Sequence, residues 1–325
     1  MRFSLIVATL GRVRELEELF ESLSRQTCRD FEVIVIDQNE DDRLAGLRTR
    51  VFPFPLHWQR TRRRHSSCAR NLGLHAAVGD LVAFPDDDCL YPPDLLTMVD
   101  AAFRDQPALG VRTGPAASPT GGLGSGRWRQ SSGPIGPANV WTSVIEFNMF
   151  LRREAATGVG GFDEQLGVGA RFGSAEGNDL ALRVVKAGWQ GWYDTAQRAI
   201  HPDKALTALA AERAFAYGAG LGYVLRKHDI AGGIRLRFLL RPLGGCVLNL
   251  LRGRGLNARY YWQTLRGRLW GLAAGKNGQV RRAPSRDGRC PWTPQRAERP
   301  AGPVLAGPGR SPGGVRGSAS PSKGQ

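Results

Sequence analysis

The chain has 325 residues, 42% apolar and 23% charged, with a formal net charge of +16, enough to bury a large core with an appendage besides. Half of the charge excess lies in residues 276–325, where ten Lys/Arg face two Asp/Glu, so the body is only moderately basic and suits anionic small ligands or an anionic membrane surface rather than nucleic acid. Five scattered cysteines (Cys28, Cys68, Cys89, Cys246, Cys290) without a Cys-x-x-Cys pair speak against a disulfide framework or a zinc site and favour a reducing compartment.

Phe3–Ala8 is an apolar, β-branched run that predicts a strand, and with one early Arg and no cleavage-like region no secretory signal is expected. After the loop Thr9-Leu10-Gly11-Arg12, Leu16, Leu19, Phe20 and Leu23 mark one face of a helix. Phe31–Ile36 is a second strand, ending at Asp37-Gln38-Asn39. Strand, helix and strand in so short a span make a βαβ unit, hence a parallel sheet with ligand sites at the carboxyl ends of its strands. Next come the basic cluster Arg60 to Arg64 and a helix opening near Ser66. The cluster reads as a solvated loop, whereas Arg70, inside the helix, is expected to face the site.

Gly79-Asp80 is a turn, Leu81 to Phe84 a short buried strand, and Asp86-Asp87-Asp88 follows at its carboxyl end. Three carboxylates there repel one another unless a cation offsets them, and hard oxygen ligands suit Mg²⁺ or Mn²⁺ shared with substrate phosphates. Pro92-Pro93-Asp94 starts another helix. Residues 113–139, rich in Gly, Pro and Ser, read as a long loop, and Ser143–Leu151 as a return to strand. Gly160 to Glu164 is a turn; Gly167 to Gly173 is not a dinucleotide loop, because no strand precedes it where one is required. A helix then opens at Glu176-Gly177-Asn178-Asp179 and stops at Gly188.

Beyond His201-Pro202 three helices are predicted, over Ala205–Lys227, Ile234–Leu251 and Leu256–Leu272, with arginines interleaved among apolar residues. Their apolar runs are too short to span a bilayer, so a cytoplasmic or peripheral protein is expected. The Pro/Gly/Arg-rich tail from Lys276 is expected to be disordered. The chain thus divides into a main α/β domain (1–204), a basic helical region (205–275) and a tail (276–325).

Taken together, Val7 to Arg12, Phe31 to Asn39, Ala69-Arg70-Asn71 with Gly73, Gly79 to Asp88 with Pro93-Asp94, Gly160 to Glu164 and Glu176 to Arg183 resemble, over residues 3–203, the family 2 glycosyltransferases of the GT-A fold. The resemblance implies an α/β fold with a mixed, mainly parallel sheet flanked by helices. It implies inverting, metal-dependent sugar transfer from a nucleoside-diphosphate sugar, UDP by preference, to a glycan or lipid-linked acceptor, as in surface polysaccharide synthesis. By it Thr9, Arg12, Asp37 and Gln38 hold the nucleotide, Arg70 lies near the diphosphate, and Asp86 and Asp87 contribute on the nucleotide side. Asp86 and Asp88 are the ends of the metal-binding Asp-x-Asp motif, with His201 as a further ligand to the metal or diphosphate. The chain departs from the family pattern at Ala8 (usually Pro), at Gln38 (commonly a second Asp) and at Gly177 (the Asp of a Glu-Asp pair). Gln38 leaves thymidine and guanosine nucleotides open, and Gly177 leaves Glu176 or Asp179 as the proton acceptor, with Glu176 preferred. The alternatives are a nucleotidyltransferase, against which the lack of a Gly-rich triphosphate loop after the first strand argues, and a basic module that binds nucleic acid or anionic surfaces.

Overall fold

The computed structural model describes residues 1–274; the predicted disordered tail, 276–325, lies outside them. Strand β1 (Phe3–Thr9), helix α1 (Arg14–Ser24) and strand β2 (Phe31–Asp37) form the expected βαβ unit, with β1 and β2 parallel in register from Phe3↔Phe31 to Thr9↔Asp37. A short α2 (Ala45–Thr49) and edge strand β3 (Leu56–Arg60) follow, then α3 (Ser66–Ala76), β4 (Leu81–Ala83) and α4 (Leu95–Asp105). Next come β5 (Leu109–Thr113), the two-residue strands β6 (Ala116–Ala117) and β7 (Gly133–Pro134), and two 3₁₀ turns at Val140–Thr142 and Glu146–Asn148. The main layer ends with β8 (Met149–Arg152), α5 (Arg153–Gly158), α6 (Glu176–Lys186), β9 (Gln190–Tyr193) and β10 (Ala199–Ile200). Three long helices close the described chain, α7 (Ala208–Lys227), α8 (Gly232–Leu251) and α9 (Gly255–Ala274), within a few residues of their predicted spans.

The large sheet runs β3-β2-β1-β4-β8-β5-β9-β7. Strands β3, β2, β1 and β4 are mutually parallel, and β8 runs antiparallel between β4 and β5. Alternate residues serve opposite faces, as a strand buried on both sides requires. Phe3, Leu5, Val7, Phe31, Val33 and Val35 pack with Leu16 and Phe20 of α1 and Leu96 and Phe103 of α4. On the other face Ile6, Ile34 and Ile36 pack with Ala69 and Leu74 of α3 and Leu180 and Val184 of α6. Gly73 lets α3 lie close on β1, since a Cβ there would stand 2.2 Å from the Ile6 side chain. The chain leaves β1 toward β2 on one side and returns to β4 on the other. The carboxyl ends of β1 and β4 therefore flank a topological switch point, where ligand crevices form in such sheets.

Two expectations need amending. Ser143–Leu151 is not one strand: the 3₁₀ turn at Glu146–Asn148 precedes β8, held by Tyr91 Oη donating to the Phe147 carbonyl (2.8 Å) and by Asn148 Nδ2 donating to the carbonyls of Pro115 and Gln197 (3.0 and 2.8 Å). Nor is 113–139 plain loop. It contributes β6 and β7, and Asp203 accepts bonds from Ser118 and Ser125 within it. Helices α7 and α9 approach backbone to backbone: a Cβ at Gly267 would lie 2.1 Å from the Phe215 carbonyl oxygen.

Candidate active site

The switch point gathers the side chains singled out in the sequence. Thr9, at the end of β1, is buried and donates its hydroxyl to Asp87 Oδ2 at 2.7 Å. Arg12, in the loop after it, pairs with Asp87 and with Asp88 Oδ2, the latter at 2.7 Å. The aspartates differ in consequence. Burial raises the Asp87 carboxyl against the pull of Arg12 and Thr9. Asp88 is also penalised by burial, yet the nearness of His201 and Arg12 holds its carboxyl below the ordinary range.

Asp86, Asp88 and His201 form a cluster whose potential ligand atoms all lie within 4.8 Å of one another. His201 follows β10 and stacks on Phe147, ring centroids 4.6 Å apart. Its Nδ1 meets the Pro202 carbonyl at 2.8 Å and its Nε2 faces Asp88 Oδ1 at 3.3 Å. Donation from Nδ1 fixes the tautomer in which Nε2 carries the lone pair a metal needs. Asp88 Oδ1 is buried and faces only His201 Nε2, at 3.3 Å and outside hydrogen-bond geometry, an expensive condition for a carboxylate oxygen unless a cation meets it. Two carboxylates and an imidazole fit a small divalent ion, and the nitrogen ligand suits Mn²⁺ better than Mg²⁺.

Arg70, on α3 and buried, spans the site. It donates to Asp86 Oδ1 and to Glu176 Oε1, each at 2.9 Å, so the Asp-Asp-Asp loop and the first turn of α6 share one guanidinium. Glu176 is presented by Ala175, whose φ of +69° is unusual for a residue with a Cβ. One group here was missed by sequence reasoning. Glu146, in the second 3₁₀ turn, is half-buried and accepts the Gly177 N–H at 2.9 Å. Burial and the negative charge of Glu176 raise its carboxyl to about 7, against the pull of Arg70. A glutamate inside the apolar stretch Val144-Ile145-Glu146-Phe147 was the available signal.

Asp179 is placed otherwise. Its carboxylate is 0% exposed and bound by Arg183, Lys227 and His228, each at 2.8 Å, so that despite burial it stays strongly acidic. It ties α6 to the end of α7. Asp37 is likewise enclosed, held by Asn39 (2.8 Å) and Arg48 (2.5 Å), with Arg60 at 3.5 Å. Gln38 Oε1 accepts the His65 N–H at 2.8 Å and so joins the end of β2 to the head of α3. Beside these ends opens a cavity of about 430 Å³ lined by Leu10, Gly11, Asn39, Glu40, Asp41, Arg43 and Arg64. Asn39, Arg43 and Arg64 were not singled out in the sequence for this place. In the basic cluster Arg63 pairs with Glu164 (3.2 Å) and Arg64 with Glu40 (3.1 Å), largely at the surface.

Residues 4–155 match the family described as Glycosyl transferase family 2. An uncharacterized glycosyltransferase of Haemophilus influenzae is 30% identical over 113 residues, which is 35% of this chain and 38% of that protein; the chain thus spans well under half of such a relative. Among solved structures, S. aureus TarS in complex with UDP-GlcNAc superposes with a TM-score of 0.54 at 15% identity, covering 82% of this chain and 92% of that one. The mannosyltransferase PcManGT from Pyrobaculum calidifontis, in complex with GDP-Man and Mn²⁺, gives 0.53 at 19% identity, covering 86% and 76%. At such identities these likenesses establish the shared fold.

Proposed function

Because residues 4–155 match the family described as Glycosyl transferase family 2, we propose a metal-dependent, inverting transfer of sugar from a nucleoside-diphosphate donor to a hydroxyl of a glycan or lipid-linked acceptor. The observation that carries this reading is the array Asp88–His201, Asp86–Arg70–Glu176, which brings a group able to hold a cation and a buried glutamate to one crevice. The cavity beyond β1 and β2 takes the nucleoside; UDP is the first expectation, and the GDP-Man and UDP-GlcNAc of the two solved neighbours define the donors to try. Asp86, Asp88 and His201 hold the divalent ion, which when bound acts as a Lewis acid toward the diphosphate. Arg12 and Arg70 add fixed positive charge where the leaving group gains negative charge. The acceptor proton goes to a carboxylate at the head of α6, where Glu176 sits.

Thermal unfolding with UDP-GlcNAc or GDP-Man, each with and without Mn²⁺, tests the reading. A donor at about 100 times its Kd stabilises the folded state by about 2.7 kcal/mol, and that gain should require the ion. Release of nucleoside diphosphate is the expected product signal; pyrophosphate instead would mark a nucleotidyltransferase.

The second element of the proposal is location. No helix among the described residues is long and apolar enough to cross a membrane. On α8, however, Leu236, Leu240, Leu243, Val247, Leu250 and Leu251 are exposed along one face, 43% to 81% each. Neither α8 nor α9 contains an acidic residue, and Arg237 and Arg241 accompany the stripe. An apolar stripe with cationic flanks suits the surface of an anionic bilayer, where a lipid-linked acceptor would be found. Co-sedimentation is expected with vesicles of phosphatidylglycerol and phosphatidylcholine and not with phosphatidylcholine alone. Leu240→Glu combined with Leu243→Glu should lower the partition coefficient about tenfold or more; unchanged binding would sink the assignment of this face.

A further inference from the structure

Two glutamates stand at the head of α6, and the geometry separates their tasks. Glu176 is committed: its Oε1 receives the Arg70 guanidinium at 2.9 Å, and Arg70 in turn holds Asp86. Glu146 accepts the backbone N–H of Gly177 and is partly open to solvent. Position 177 explains how it gets there. A Cβ on Gly177 would lie 2.6 Å from Glu146 Oε1 and 2.7 Å from its Cγ. Glu146 therefore fills the space into which any side chain at 177 would grow. We propose that Glu146, and not Glu176, takes the proton of the acceptor hydroxyl, while Glu176 positions Arg70; this rests on the sugar-transfer reading above.

In the step, the acceptor O–H bond breaks and its proton passes to a Glu146 oxygen. The acceptor oxygen bonds to the anomeric carbon as the bond from that carbon to the diphosphate breaks, and the electron pair leaves on the nucleoside diphosphate. Burial disfavours the charge on Glu146 most, Glu176 and Asp86 repel it, and Arg70 with the N-terminus of α6 favours it. The net result, a carboxyl raised to about 7, matches the range in which a general base works well. An amide at 146 would still accept the Gly177 N–H but could not receive a proton.

The assay is Mn²⁺-dependent release of nucleoside diphosphate from UDP-GlcNAc or GDP-Man, with water as the acceptor, across pH 5 to about 9. The wild-type rate is expected to fall below about pH 7, as Glu146 becomes protonated. Glu146→Gln should lower it about 10²–10³-fold and abolish that acidic limb, while donor-dependent protection against unfolding persists. Glu146→Ala combined with Gly177→Asp, which grows a carboxylate into the vacated space, should recover at least about tenfold over Glu146→Ala. A rate for Glu146→Gln within about threefold of wild type, or survival of the acidic limb in that variant, overturns the assignment.

Stability gives a readout independent of turnover. A carboxyl whose folded pKa is raised favours the folded state only when protonated, so the wild type loses stability as pH rises from its unfolded value toward about 7. Glu146→Gln should therefore melt about 3 °C or more above wild type at pH 8, with the gap closing near pH 5; equal melting across that range places Glu146 in ordinary solvent and also overturns the assignment. A wild type that neither releases diphosphate nor is protected by a donor would bring down the transfer reading as well. A protected, active wild type beside an unaffected Glu146→Gln would bring down this assignment alone.

Discussion

Asp88→Asn is expected to lower nucleotide-sugar turnover about 10³-fold and to remove the Mn²⁺ requirement for donor-dependent stabilisation, without lowering the melting temperature of the ligand-free protein. The two halves of this outcome have one cause. Asp86, Asp87 and Asp88 crowd three carboxylates at the end of β4, with Arg12 and Arg70 offsetting the charge. Neutralising Asp88 relieves repulsion in the free protein and leaves Arg12 its partner Asp87. It also takes away the carboxylate that faces His201 and carries the unsatisfied buried oxygen, so the ion loses a charged ligand. Turnover assays, with unfolding curves at several Mn²⁺ concentrations, check both halves. A variant that keeps its metal-dependent protection would mean the cation binds elsewhere.

Asp179→Ala should be the most destabilising single change in the α6 region, about 3–5 kcal/mol. Its carboxylate is fully buried among Arg183, Lys227 and His228, and removing it leaves cationic groups facing one another in a low-dielectric site. The pH dependence follows from the depressed carboxyl. The stability Asp179 contributes is present above the ordinary carboxylate range and fades only as pH falls below it toward the lower folded value. Denaturant titration at neutral pH should show the full deficit, shrinking in strong acid. Since global stability is typically 5–15 kcal/mol, Asp179→Asn, which preserves shape, is the better form for kinetics. If that variant stays folded and loses turnover as completely as Glu146→Gln, Asp179 has a part in the chemistry that its ion pairs do not suggest.

How much of this could be read from the sequence depends on how each signal is made. Strands β1 and β2 are apolar on both faces, and their seven-residue runs declare themselves. The long helices were located from their apolar spacing. Edge strand β3 contains His57, Gln59 and Arg60 and looks like loop, while β5 is interrupted by Gly110 and Arg112. Such strands are fixed by their neighbours rather than by their own composition. Thr9, Arg12, Arg70, Asp86 and Asp88 lie together at the crevice because each falls at a strand end or on the helix beside one; His201 was named from the family resemblance alone. Glu146 was missed. It lies across from Gly177, thirty-one residues on; Gly177 stands out as a departure from the family pattern, but nothing in the sequence links the two positions. The cap of α3 is His65, whose Nδ1 accepts the Cys68 N–H at 3.2 Å.

The three-residue turn Glu146-Phe147-Asn148 carries more than its length suggests. Its first side chain meets α6, its second stacks on His201, and its third is pinned to Gln197. On the proposed reading, the proton-accepting and cation-holding ends of the crevice are thus spaced by a single three-residue ruler, which Tyr91 holds through the Phe147 carbonyl. Any relative that lengthens or shortens this ruler by one residue would have to rebuild both ends together, so insertions there should be far less tolerated than in the neighbouring glycine-rich segment.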